Sequence, residues 1–166
     1  AKLVVFPPAG VGARVVTMEA PPSPYVYPQL VGALQDGSLI AVATAPSYQA
    51  ADVSRPQGMV LRFDASGRFM NSVVEARGAE RVSSSEGPAV ITRILRFGRK
   101  TFVAAARDYV VLMSSHEPAL HFYTAEGKLS RTVRFNEPQR EMTTAFWKIY
   151  VDSILADQPE PERAAP

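Results

Sequence analysis

At 166 residues the chain has the length of about one domain, and 46% apolar with 20% charged residues is not the composition of a disordered chain. Eighteen basic against 16 acidic residues leave a net charge of +2, and the scattered Lys and Arg form no stripe of the kind that binds nucleic acid. With no cysteine a disulfide framework and a thiolate metal site are excluded, and no apolar run approaches the ~20 residues of a membrane-spanning helix.

Residues 2–18 predict a leading β-hairpin, with Leu3–Phe6 and Ala13–Met18 as strands around the turn material Pro7–Gly12. Glu19–Pro28 holds Pro21, Pro22, Pro24 and Pro28 around Tyr25 and Tyr27. Proline fixes φ and removes a donor, so this is an extended connection, with the two tyrosines as a candidate aromatic ligand platform. A first four-stranded unit, or blade, is expected over 29–75. Its first hairpin, Leu30–Leu34 with Ser38–Thr44, turns at Asp36-Gly37, a strong hairpin signal. Pro46–Gln57 is a polar insertion, and the hairpin 58–75 closes the unit.

Arg77–Pro88 reads as a loop by its Ser-rich composition. A second unit is expected over 90–135. Val90–Leu95 and Thr101–Ala106 flank Arg96–Lys100, Tyr109–Met113 follows as a buried strand, and Ala119–Phe135 is the last hairpin. From Asn136 the period changes from two to 3.6. Met142, Phe146, Ile149, Tyr150, Val151, Ile154 and Leu155 share one face, which predicts a helix over 139–156, after Pro138 and before Pro159. A Pro-rich tail follows, so the chain divides into residues 1–136 and 137–166.

These elements repeat. Met59–Val73 returns as Ala119–Val133 at a shift of 60 residues, so that Gly67 meets Gly127, Phe63 meets Tyr123 and Phe69 meets Leu129. A worn third copy, Leu3–Gly10, matches at a shift of 57, with Phe6 on Phe63 and Gly10 on Gly67. A unit repeated at near-constant spacing fixes architecture before any other feature. The expectation is an all-β chain of four-stranded antiparallel units with one C-terminal helix.

Val60-Leu-Arg-Phe-Asp-Ala-Ser-Gly-Arg-Phe69 resembles the outer strands of bacterial six-bladed β-propellers of the NHL/TolB-like kind. Arg96–Arg99, Arg107–Leu112 and His121–Leu129 look like the blade that follows. Thr124 and Pro7 stand where this turn pattern has Asp. The resemblance implies a partial β-propeller of about two and a half blades, cut from a longer chain whose remaining blades are its nearest partner. It also implies a periplasmic or extracellular location. The helix is similar to an inter-blade helix of that family, and its Phe146 and Tyr150 face is expected to pack on a neighbouring blade.

No reactive constellation stands out. His116 and His121 are the only histidines, and His121 occupies the slot of Leu61 in the other copy, which marks it as a strand residue rather than a metal ligand. Ser83–Ser85 has no histidine nearby and no nucleophile elbow, and Gly10 and Gly12 precede no helix that could cradle phosphate. Asp36 and Asp108 sit at turns, which is reason enough for them. No catalytic residue, metal site or cofactor is expected. The remaining ligand candidates are the compact basic cluster Arg96, Phe97, Arg99 and Lys100, together with Tyr25 and Tyr27. The expected function is a non-catalytic scaffold for an unidentified protein or small-molecule ligand, because Ser38–Thr44 and Tyr109–Ser114, read as the innermost strands, carry apolar or small side chains. A propeller lyase or lactone hydrolase, with its catalytic groups in other blades, is the alternative.

Overall fold

The two turns that anchor the repeat fold alike. In the computed structural model, which describes residues 2–5, 12, 14–46, 53–86, 89–136 and 143–156, Gly67 and Gly127 have φ of 92° and 88°. That is the left-handed region open to glycine. Each glycine N–H donates to the carbonyl three residues back, Asp64 at 3.0 Å and Thr124 at 2.9 Å. The N–H groups of Asp64 and Thr124 donate in turn to the carbonyls of Arg68 and Lys128, both at 2.9 Å. Gly37, with φ 82°, closes the same turn on Leu34. Thr124 in place of Asp therefore leaves the backbone turn intact, although its hydroxyl accepts the Lys128 N–H only at 3.4 Å.

These turns join strands into antiparallel sheets. β1 (Lys2–Val5) and β2 (Arg14–Thr17) form the leading hairpin. β3 (Val26–Ala33), β4 (Leu39–Thr44), β6 (Gly58–Phe63) and β7 (Phe69–Glu75) pair in that order as one four-stranded sheet. β10 (Thr101–Ala106), β11 (Tyr109–Ser114), β12 (Ala119–Thr124) and β13 (Leu129–Arg134) form a second. The register repeats as well: Phe63 pairs with Phe69 and Tyr123 with Leu129, each beside a bulge that absorbs the turn's extra residue.

Between the two sheets the structure departs from the expected repeat. Residues 81–86, read as a loop, are strand β8 (Arg81–Glu86), paired with β9 (Ala89–Ile94) on one side and with β5 (Val53–Ser54) on the other. β9 therefore does not join β10 in a hairpin, and the second four-stranded sheet spans 101–134 rather than 90–135. The physical reason lies in Ser83. It is buried, yet its hydroxyl is satisfied by Thr92 across the ladder at 2.9 Å, so a strand without apolar alternation is stable there. β3 also begins earlier than expected, at Val26. It tolerates Pro28 because it is an edge strand with a register shift between Val26 and Gln29. β4 and β11, read from sequence as the innermost strands, are second in their sheets, and the edges on that side are β3 and β10.

Packing follows the alternation. Leu39, Ala41, Ala43, Leu61 and Phe63 cluster with Val16 and Met18 of the hairpin side. Ile40, Val60 and Val73 point the other way and cluster with Val110 and Ala125, against Val103, Leu112 and Tyr123. The middle sheet is thus covered on both faces, and Ile40, Val60, Leu61 and Phe63 are wholly buried. At ~1.5–3 kcal/mol for each large apolar side chain, this sheet is the energetic centre. The turns at 34–38, 64–68, 107–108 and 124–128 gather at one end of the sheets. The long connections that carry β5, β8 and β9 leave from the other.

Residues Ala1–Phe135 and Asn136–Pro166 are two compact units. In the second, α1 (Thr144–Ala156) starts on Thr143, whose hydroxyl accepts the Phe146 N–H at 3.2 Å as an N-cap. Phe146 and Ile149 are exposed, and the Trp147 and Tyr150 rings lie 5.9 Å apart. No helix among the described residues is long and apolar enough to cross a membrane. Outside the described residues lie Phe6, Pro7 and Gly10 of the worn copy, residues 47–52 of the insertion, the expected helix start at 139–142 with Met142, and the tail after Ala156.

Candidate functional site at the turn end

A cleft of about 300 Å³ opens at the turn end, between the two four-stranded sheets. Leu34, Asp36 and Arg62 line it from one sheet, and Asp108, Tyr109, Thr124, Ala125 and Glu126 from the other. Arg62 is its centre. It is the one charged residue in the apolar run of β6, and its side chain is only 12% exposed. The guanidinium donates to Asp36 Oδ2 at 2.6 Å, to Ser38 Oγ at 3.1 Å and to Glu126 Oε1 of the opposite sheet at 3.4 Å. Asp36 Oδ1 in turn accepts the Ser38 hydroxyl at 2.6 Å and the Ser38 N–H at 2.9 Å.

Local chemistry sets the charge state. The Ser38 hydroxyl and N–H hold the Asp36 carboxyl below the usual carboxylate range, and Arg62 adds to this. The Glu126 carboxyl is likewise lowered, first by its own backbone N–H and the Thr124 hydroxyl, then by Arg62. Two carboxylates, Asp36 and Glu126, thus hold one arginine, and Asp108 adds a third acid to the lining of the cleft. The arrangement ties the two sheets together and leaves the mouth of the cleft negative. Its hydroxyl–carboxylate contacts, Ser38 with Asp36 and Thr124 with Glu126, are contacts within the turns themselves, and Ser38 is buried. Ser114 and His116 bond each other elsewhere, and His121 sits between Thr132 and Glu117. No group of three or more His, Cys, Asp or Glu suited to a metal ion occurs among the described residues.

The residues singled out from sequence lie at the other end of the sheets. Arg96 and Phe97 project from the turn that Gly98 closes on Leu95 at 3.1 Å, and Phe97 is 48% exposed. Arg99 pairs with Glu80 at 3.5 Å, and the Lys100 N–H donates to Ser115 Oγ at 2.9 Å. The structure keeps these four together on one connection. Tyr25 and Tyr27 it separates: Tyr25 packs on the core beside Val16 and Met18, whereas Tyr27, at φ 50°, is 85% exposed. They do not make a platform.

Asp36 does more than its turn requires, since it also holds Arg62. Little in the sequence signals this, because Asp36 and Glu126 lie 26 and 64 residues from Arg62. The available signal was a lone arginine inside an apolar strand.

The class that fold and cleft define is an antiparallel β-protein of sheets stacked face to face, with a charged clamp across the turn end. In comparisons with protein families, curated proteins and solved structures, nothing matches this chain.

Proposed function

We propose that the stacked sheets are blades of an NHL/TolB-like β-propeller and that the protein is a non-catalytic binding scaffold. One recurring contact carries the reading. The turn glycine of each unit abuts the outer strand of the unit before it. A Cβ built on Gly67 would fall 2.5 Å from the Thr17 carbonyl oxygen, and one on Gly127 would overlap the Val73 carbonyl oxygen in the same way. A polar side chain repeats alongside: Arg14 donates to the Ala65 carbonyl at 3.3 Å, and Asn71 to the Ala125 carbonyl at 3.0 Å. A constant contact between successive units is what radial stacking of blades requires.

On this reading β3 and β10 are the strands nearest the axis. Gln29, Leu30 and Ala33, with Phe102, Ala104 and Ala106, are their exposed side chains beside Tyr27. Apart from the Tyr27 phenol none of these is an acid, a base or a nucleophile, which favours a scaffold over a hydrolase or lyase. Electron microscopy of the assembly that this chain forms in its native source tests the proposal. A ring of sheets about a central axis is expected, and a two-sheet sandwich or a linear stack would overturn it.

A further inference from the structure

The three-stranded sheet β5–β8–β9 interrupts the repeat and has no counterpart among the described residues on either side of it. Long connections with structure of their own are frequently functional. Among the described residues β9 pairs with β8 alone, so its second edge presents unpaired backbone N–H and C=O groups. The hydrogen bond from the Leu95 N–H to the Glu80 carbonyl, at 2.9 Å, carries the β8–β9 pairing straight into the basic turn. Edge and turn therefore form one continuous surface.

Its chemistry is one-sided. Residues 89–100 contain Arg93, Arg96, Arg99 and Lys100 and no carboxylate, a formal charge of +4. Glu80, paired with Arg99, brings in one opposing charge. Ile94 is 63% exposed and Phe97 is exposed beside it, so apolar contact area alternates with positive charge along the edge. We infer that the free edge of β9, with the Arg96–Lys100 turn, is a docking strand for an extended acidic peptide.

The choice of occupant follows from electrostatics. A second copy pairing through its own β9 would bring two segments of +4 side by side, and like charges across a ladder are destabilising. An acidic strand turns the same charges into attraction, while the ladder supplies backbone hydrogen bonds that do not depend on peptide sequence. Ile94 and Phe97 would take its apolar side chains. The inference rests on the open edge and its charge. It stands whether or not the sheets belong to a propeller, so the ring test and the test below fail independently.

The test uses fluorescence anisotropy of the full chain with a labelled peptide of alternating Glu and Val. Saturable binding is expected, at least tenfold tighter than for the Lys/Val counterpart, with slowed amide exchange at 89–94. Arg93→Glu should weaken it tenfold or more. N-methylation of alternate peptide residues should abolish it, because those donors are needed for the ladder. Equal binding of the N-methylated peptide, indifference to Arg93→Glu, parity between acidic and basic peptides, or no binding at all would each overturn the inference.

Discussion

Three glycines in the same turn separate backbone strain from the contact between sheets. Gly37, Gly67 and Gly127 have φ of 82°, 92° and 88°, so an alanine at each meets the same left-handed penalty. That penalty is ~1–2 kcal/mol. The gain from a stiffer unfolded chain, ~0.4–1 kcal/mol, is also common to all three and cancels in the comparison. Only the surroundings differ. A Cβ on Gly37 meets nothing within 4 Å, whereas on Gly67 or Gly127 it runs into a backbone carbonyl of the preceding unit. A carbonyl in a ladder cannot rotate away, so the two layers must part, at a further ~1–3 kcal/mol of overpacking. Gly37→Ala should therefore cost about 1 kcal/mol, and Gly67→Ala and Gly127→Ala about 2–4 kcal/mol each. At ~2–4 °C per kcal/mol, thermal melts followed by circular dichroism resolve the difference easily. Three equal drops would show that the close approach between units carries no energy, and the stacking argument would fail with it.

The remaining predictions concern the cleft and the open sheet face. Because the Asp36 carboxyl is held below its usual range, it adds stability at pH above its unfolded value, ~3.9, and this is lost as pH falls through the lower folded value. Asp36→Asn should thus flatten the stability profile below about pH 4 in acid titration, and an unchanged slope would count against the Ser38 and Arg62 contacts. Arg62→Met leaves Asp36 and Glu126 without their cation and should cost ~1–3 kcal/mol in urea unfolding at low salt, less at high salt as screening grows; a loss that ignores salt would contradict the clamp. Phe102, Val111, Met113 and Leu120 line an apolar hollow of about 150 Å³ on the last sheet. That face should bind a hydrophobic dye, Phe102→Thr should reduce the signal with little change in melting temperature, and equal dye binding by the variant would place the site elsewhere.

Local chemistry alone was enough to read the hairpins from the chain. Asp36-Gly37, Gly67 and Gly127 mark tight turns because only glycine enters the left-handed region without strain, and the alternation around them assigns strands and faces. The Phe63–Phe69 and Tyr123–Leu129 pairs follow from it, as does the helical period after Asn136. What the sequence could not hold was decided by partners distant along the chain. β8 is a strand because Ser83 finds Thr92 across a ladder and Val53 lies on its other side, not because its own residues are apolar. The edge positions of β3 and β10 depend on the order of pairing, which alternation does not encode. The same holds for the sites. Arg96, Phe97, Arg99 and Lys100 stay together because they are neighbours on one turn, whereas Tyr25 and Tyr27, two apart, part company because Tyr25 precedes β3 and Tyr27 stands at φ 50° within its register shift, which breaks the alternation that would put them on one face. In the clamp, Asp36 meets Arg62 only when β4 pairs with β6, and Glu126 joins them only when the second sheet stacks on the first, because an ion pair is set by distance in space and not by distance along the chain.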